Sequence, residues 1–327
     1  AITPFNYPAL LVLHKLAPAL AAGNAVVLKP ARDTPLTALA LAACFVDAGL
    51  PEGVLSVVTG PGGALGDALV TDPRVRKISF TGSTATGERI TRVAGVKKLS
   101  LELGASCPVV ILPDADLELA SSAVAAGGYV NAGQVCISVQ RVIAHQAVVG
   151  DFLDALVPKV EAIRTGDPGS PDTGMGALIT ATEAERVQRA IAEAAAGGAR
   201  VLTGGDRDGA VVTPAVVADV DPASPFSQEE LFGPAVAVSR ADGWAEAIAL
   251  ANGTDYALLG AVWTRDLSRA HRVAAAIEAG QVYVNTYGAG GGVELPFGGF
   301  RKSGYGREKG VEALDSYTAT KTIVVQV

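Results

Sequence analysis

Cys136 closes the run Asn131-Ala132-Gly133-Gln134-Val135-Cys136, and Glu102 stands upstream in Leu101-Glu102-Leu103-Gly104. Together they offer a soft nucleophile and a carboxylate able to work beside it. A thiolate is the reactive form of cysteine, and a neighbouring base or dipole makes it available at neutral pH. Glu102 ends a strand-like run, which sets a carboxylate over a cleft; partial desolvation there raises its proton affinity into the range of a general base. As lone residues, both more often are ordinary side chains, one buried and inert and one capping a loop.

Other residues point to a nucleotide. Gly82-Ser83-Thr84-Ala85-Thr86-Gly87 lies between a strand and a helix. Its glycines permit close backbone approach, and a helix N-terminus offers free N–H groups to a phosphate. The same segment is also compatible with an ordinary βα turn, and Gly60-Pro61-Gly62-Gly63 with no more than a turn. Lys29 ends the first predicted strand and Arg32 follows it. In open α/β sheets, ligands bind beyond the carboxyl ends of strands, where these cations meet ribose hydroxyls or phosphate. Asn6, between Pro4 and Pro8, is an amide held in place as an oxyanion donor or a turn residue. Glu229-Glu230 is an acidic pair suited to a ribose diol or to solvent. His14, His145 and His271 are scattered without metal-ligand spacing, so no metal is assigned.

The elements that position these residues alternate. Asn24–Pro30, Val54–Val58, Arg76–Phe80, Lys98–Leu101 and Val109–Leu112 read as strands, with helices from Thr34 to Gly49, Ala64 to Val70 and Gly82 to Val93 between them. Helices follow at Leu117–Tyr129, Val149–Ile163 and Thr182–Ala196. Strands follow at Arg141–Ala144, Val211–Val217, Ala235–Ser239, Leu259–Trp263 and Gln281–Val284. This βαβ rhythm predicts an α/β protein with doubly wound, mostly parallel sheets in two domains. We place a partial coenzyme-binding domain at 1–105, a catalytic α/β domain at 106–300, and a return segment with an oligomerisation strand at 301–327. Thr320–Val327 is the predicted strand.

Composition narrows the function. At 49% hydrophobic but only 5% aromatic, the core is built from aliphatic residues, as in helix-covered parallel sheets. A net charge of −7 disfavours nucleic acid and anionic membranes as partners. Three widely spaced cysteines make no disulfide framework, and there is no leader-like segment, so a cytoplasmic location is expected. The apolar stretch from Ala9 to Leu28 is interrupted by His14, Lys15, Pro18, Gly23 and Asn24, too often for a membrane span.

Taken in order, Pro4-Phe5-Asn6-Tyr7-Pro8, Lys29-Pro30-Ala31, Phe80-Thr81-Gly82-Ser83-Thr84, Leu101-Glu102-Leu103-Gly104, Gly133-Gln134-Val135-Cys136, Glu230-Leu231-Phe232-Gly233-Pro234, and Pro296-Phe297-Gly298-Gly299 with Ser303 to Glu308 resemble the aldehyde dehydrogenase superfamily along the whole chain. The resemblance implies an NAD(P)-dependent, hydrolytic oxidation of an aldehyde. Cys136 attacks the aldehyde, Asn6 and the Cys136 N–H hold the oxyanion, and Glu102 activates the water that releases the acid. Lys29 completes the catalytic set. The cofactor is met by Thr3, Pro4, Phe5, Lys29, Arg32, Gly62, Phe80, Thr81, Gly82, Ser83, Gly87, Leu103, Gly104, Glu230 and Phe232, with Lys29 and Glu230 on the two riboses. Val135, Ile137, Gly291 and Phe297 are the expected substrate-pocket residues, and a homodimer or homotetramer is the expected assembly.

Three departures from the family pattern stand out. Arg32 replaces the usual acidic residue; it pairs with a 2′-phosphate rather than a diol, so NADP is expected beside NAD. Ala105 replaces a glycine, and its methyl is expected to crowd the loop that carries Glu102. The resemblance begins partway through the coenzyme domain, so the chain reads as part of a longer protein. The Gly288–Gly292 run implies a roomy pocket for a medium-sized, aromatic or semialdehyde substrate. Two alternatives remain: a coenzyme A-acylating dehydrogenase, against which Glu102 argues, and an inactive nucleotide-binding or assembly fragment.

Overall fold

The computed structural model describes residues 1–288 and 292–327, so the expected pocket residue Gly291 lies outside the described residues. The chain forms two compact units. The first holds Ala1–Leu103 with two later segments, one ending at Gly298 and the other Gly304–Val327. The second begins at Gly104 and takes in Gly299–Ser303. The return segment therefore divides: Phe300–Arg301 pairs with Tyr256–Ala257 in the second unit, and Gly304–Tyr305 pairs antiparallel with Leu101–Glu102 in the first.

In the first unit, β1 (Val26–Leu28) and β2 (Leu55–Val57) run parallel, as do β3 (Lys77–Thr81) and β4 (Lys98–Glu102). The opening residues join the two pairs. Ile2 bridges in parallel to both Lys29 and Phe80, with its N–H donating to the Ser79 carbonyl at 2.9 Å and its own carbonyl accepting from Thr81 N–H at 3.1 Å. The spatial order is thus β2, β1, Ala1–Thr3, β3, β4. Successive connections leave the opening segment on opposite sides, creating a switch point where Thr3–Asn6 and Thr81–Ser83 emerge. Pro4 ends this first strand after a few residues, too short a run for alternation to reveal.

Helices cover both faces. On one side Val12 and Leu16 of α1 (Leu10–Ala21) and Ala38 of α2 (Pro35–Asp47) pack with Leu28. On the other, Val70 of α3 (Gly62–Thr71) and Ile90 of α4 (Thr84–Val93) pack with Ile78, Phe80, Leu101 and Leu103. Each buried aliphatic side chain of this kind contributes roughly 1.5–3 kcal/mol. The interrupted stretch from Ala9 is therefore a largely apolar helix, buried along one side, followed by β1. Pro18 is tolerated within it, and Lys15 sits on its buried side. Gly87 lets α4 press onto β4, since a Cβ there would lie 2.4 Å from the Leu103 side chain.

The second unit is one seven-stranded sheet. Its strands are β5 (Cys107–Ile111), β6 (Val139–His145), β7 (Arg200–Thr203), β8 (Ala215–Ala218), β9 (Ala235–Ala241), β10 (Leu259–Trp263) and β11 (Gln281–Val284). The order is β11-β10-β5-β6-β9-β8-β7, parallel throughout except for β7 against β8. α5 (Leu117–Tyr129), α6 (Val149–Glu161), α7 (Ala181–Ala196), α8 (Trp244–Ala251) and α9 (Leu267–Ala276) complete it. Every residue of β5 and β10 is buried, as expected of central parallel strands.

Two expectations are corrected. Val211–Val217 is not one strand: Val211–Val212 forms a small hairpin with Arg207–Asp208, and β8 starts after Pro214, which has no N–H to continue a ladder. Thr320–Val327 forms no strand, and Ile323, Val324 and Val325 are exposed. A strand requires a partner ladder, and among the described residues none runs beside this tail. The chain is last held at Tyr317 and Thr318, whose carbonyls accept from Asn24 Nδ2 and Lys98 Nζ.

Candidate active site

The second unit builds the thiol. After α5 the backbone turns through Asn131 (φ 52°), Ala132 (φ 55°) and Gly133 (φ 69°), left-handed conformations that only glycine adopts freely. Gly133 also lies against Gly233, whose carbonyl oxygen would stand 2.1 Å from a Cβ at position 133. Gln134 stabilises the turn, with its Nε2 donating to Asn131 O at 3.0 Å and its Oε1 accepting from Ile179 N–H at 2.8 Å. Beyond Cys136, Tyr287 Oη donates to Ile137 O at 2.8 Å. Cys136 is half-buried, whereas Cys107 is fully enclosed, and burial pushes its thiol up to about 12. Cys107 Sγ donates to Cys136 O at 3.4 Å, a support for the loop rather than a second nucleophile.

Cys136, Val135, Glu230 and Phe232 line one cavity with Ala105, Gly133 and Gln140. Phe232 has a φ of 49°, a strained value that turns the loop between Glu230 and β9. Glu230 Oε1 accepts from Ala105 N–H at 3.0 Å. Burial pushes its carboxyl up to about 7, against the opposing effects of that hydrogen bond and of Arg186. Ala105 therefore contributes a backbone donor to the Glu230 carboxylate.

The first unit builds the base. Glu102 ends β4, is 2% exposed, and has no hydrogen-bond partner on either oxygen. Burial raises its proton affinity well above the usual carboxylate range; the nearby Glu308 adds to this, while Lys15 and Arg307 oppose it. Gly298 leaves room for the carboxylate, since a Cβ there would stand 2.7 Å from Glu102 Oε1. Glu308 is equally buried but ion-paired: it accepts from Lys15 Nζ and lies 3.4 Å from His14 Nδ1. Burial raises its proton affinity, but Lys15 and His14 outweigh that and hold it below the ordinary value. Lys15 also donates to Thr81 Oγ1 at 2.7 Å.

Lys15, His14 and Glu308 were not singled out by role from the sequence. The usable signal was Lys15 itself, a cation among Val12, Leu16 and Ala19 on the buried side of a helix.

The remaining first-unit residues are spread along its strands and the segments that follow them. Thr3 Oγ1 is buried without a hydrogen-bond partner. Lys29, 5% exposed, donates to Pro30 O at 3.2 Å, and burial lowers its proton affinity. Ser83 caps α4, its Oγ accepting from Thr86 N–H at 3.4 Å. Gly62 opens α3. Arg32 is exposed and paired with Asp33 at 3.1 Å. Phe80 and Leu103 pack their side chains into the apolar core and leave only backbone for a ligand. Phe297 exchanges backbone hydrogen bonds with Glu308.

A doubly wound first unit with cations and a helix N-terminus at its switch point, and a second unit carrying a thiol and a carboxylate in one cavity, define a dinucleotide-dependent enzyme class. The sequence profile of the aldehyde dehydrogenase family matches residues 1–323. The chain is 45% identical over 329 residues to a betaine aldehyde dehydrogenase of Cereibacter sphaeroides, covering 99% of this chain and 68% of that protein. It is 43% identical to the NADP/NAD-dependent aldehyde dehydrogenase PuuC of Escherichia coli, covering 100% of this chain and 67% of that protein. Among solved structures, PnpE from Pseudomonas sp. WBC-3 superposes with a TM-score of 0.94 at 41% identity, over 97% of this chain and 67% of that one. The chain belongs to the aldehyde dehydrogenase family. Among the described residues, no helix is long and apolar enough to cross a membrane.

Proposed function

We propose that this protein oxidises an aldehyde to a carboxylic acid with NAD or NADP as acceptor, through a covalent thioester on Cys136. The observation that carries the reading is that Cys136, Glu230 and Phe232 converge on one small cavity, of about 10 Å³. The residues present suit a dinucleotide. Thr3 offers a buried hydroxyl without a partner, Lys29 a partly desolvated ammonium, Ser83 the N-terminus of α4, and Glu230 a carboxylate for a ribose diol. When bound, the nicotinamide accepts the hydride from the aldehyde carbon.

The chain's own groups perform the rest. The Cys136 thiolate adds to the carbonyl carbon, forming a C–S bond and a thiohemiacetal oxyanion. The Asn6 amide and the Cys136 backbone N–H donate to that oxygen. Hydride loss leaves an acyl thioester. Glu102 then removes a proton from water, the hydroxyl adds to the acyl carbon, and the C–S bond breaks to release the acid and the thiolate. Asn6, Lys29 and Glu102 complete the catalytic set with Cys136. The substrate meets Val135 and Ile137 beside the thiol, with Phe297 as a further candidate. A medium-sized, aromatic or semialdehyde substrate remains the proposal.

Reduced cofactor formation over an aldehyde panel, without coenzyme A, tests this. Cys136→Ala is expected to abolish it, and an undiminished rate would overturn the assignment. Arg32 supports use of NADP, because a guanidinium pairs with a 2′-phosphate; a strong NAD preference in kcat/KM would sink that part. The exposed apolar tail from Ile323 to Val327 supports pairing with a second copy, which sedimentation of the protein with and without the tail would test.

A further inference from the structure

Gln140 lies on β6, four residues beyond the thiol, and is 5% exposed. Its side chain does not serve its own strand. Oε1 accepts from Leu231 N–H at 2.8 Å, while Nε2 donates to Glu229 O at 2.5 Å and to Phe226 O at 3.3 Å. Those first two partners are the peptide groups on either side of Glu230. One buried amide therefore grips the backbone immediately before and immediately after the proposed ribose-binding carboxylate. Arg186 holds the next carbonyl, donating from Nη2 to Leu231 O at 2.6 Å, and is itself fixed by Glu183 at 2.8 Å.

This grip matters because it fixes the two peptide groups that bracket Glu230. The loop leaves Glu230 for Phe232 at a strained φ, and the carboxylate has one backbone hydrogen bond, from Ala105. A loop so placed samples several orientations unless its peptide groups are pinned, and each lost degree of freedom in the free enzyme is one that cofactor binding need not supply. The amide also satisfies two buried backbone groups, Phe226 O and Leu231 N–H, and its loss would leave them unpaired.

We propose that Gln140 is a positioning residue that sets the Glu230 carboxylate for the cofactor ribose, and so ties the strand behind the thiol to cofactor affinity. The inference rests on the ribose-holding reading of Glu230. Gln140 acts through the backbone on either side of Glu230, which it holds from β6.

The test is a double-mutant cycle on the full chain with Gln140→Met and Glu230→Gln, read as KM for NAD(P)+, KM for aldehyde, and kcat at saturating cofactor. Gln140→Met is expected to raise the cofactor KM about ten-fold, as for the loss of a buried hydrogen-bonding amide. Cofactor KM should change more than aldehyde KM and kcat, because the thiol loop has its own bonds from Gln134. In the Glu230→Gln background, the same substitution should change cofactor KM by less than about two-fold, since the group being positioned has already lost its charge. Equal effects in both backgrounds would show general loop damage and overturn the proposal. Should Gln140→Met fail to fold, Gln140→Glu, which keeps the shape and the acceptor for Leu231 N–H, carries the same cycle. If Glu230→Gln alone leaves cofactor KM unchanged, the reading of Glu230 falls and the inference with it. If Glu230→Gln raises KM and Gln140→Met does not, only the inference falls.

Discussion

Glu102, at the end of β4, and Glu308, on the segment returning from Phe297, are both almost wholly removed from solvent, at 2% and 3% exposure. Their proton affinities nevertheless move in opposite directions. Glu308 has a lysine and a histidine within reach; Glu102 has no hydrogen-bond donor and feels the charge of Glu308. Burial alone therefore does not decide whether a carboxylate is a base or a counterion. What decides is whether the fold supplies a partner. Here one buried cation, Lys15, is given to Glu308, and Glu102 is left able to take a proton.

Removing the unpartnered carboxylate breaks this contrast at its functional end. Glu102→Gln should lower steady-state turnover about 10²–10³-fold, the usual contribution of a positioned base. A stoichiometric burst of reduced cofactor should survive, because that step precedes hydrolysis. Loss of the burst would show that Glu102 acts earlier than proposed.

Removing the partnered one should hurt the fold more. Glu308→Gln leaves Lys15 buried without its counterion, and denaturant unfolding should show a loss of about 3–5 kcal/mol. Lys15→Met combined with Glu308→Gln should recover much of that loss.

The pH dependence sharpens the comparison further. A base with a raised pKa is active only once deprotonated, so turnover should climb with pH through a midpoint above the ordinary Glu value. Glu308→Gln removes a repelling charge and leaves Lys15 facing Glu102, so this midpoint should move down. The sign for stability is the reverse. Because folding raises the pKa of Glu102, its contribution is present at low pH and is lost as pH rises through the folded value. Glu102→Gln should therefore melt at a higher temperature than the wild type on the alkaline side, and no difference there would count against a buried ionising Glu102.

The smallest effect concerns space. Gly298→Ala places a methyl beside Glu102 Oε1 and Gly306 O at a φ of 153°, and should cost about 1–3 kcal/mol while slowing turnover modestly. Unfolding and kcat measured on one preparation would show whether the two losses travel together.

Much of this was legible in the residues. Leu117–Tyr129 was bounded correctly because Asp116 caps it, its carboxylate accepting from Leu119 N–H at 3.1 Å, and its apolar residues recur at helical spacing. β5 and β10 are visible as short, wholly apolar runs, the first rich in β-branched residues. Other features were hidden by length or by distance along the chain. The bridge at Ile2 involves too few residues to have a period to read. α8 and α9 are hidden because both are short and rich in alanine, which marks no clear apolar face. The Lys15–Glu308 pair joins residues 293 apart in sequence, and no local pattern reports such a pairing. The roles of Gln134 and Gln140 were equally silent, since a glutamine reaching back to a distant peptide group looks like any other polar residue.

Gly133 and Gly233 meet backbone to backbone, with no room for a side chain at position 133. The turn that presents the thiol and the turn that follows the acidic pair are in effect two ends of a single hinge pin. A side chain at position 133 would have to wedge the two turns apart before it could be accommodated.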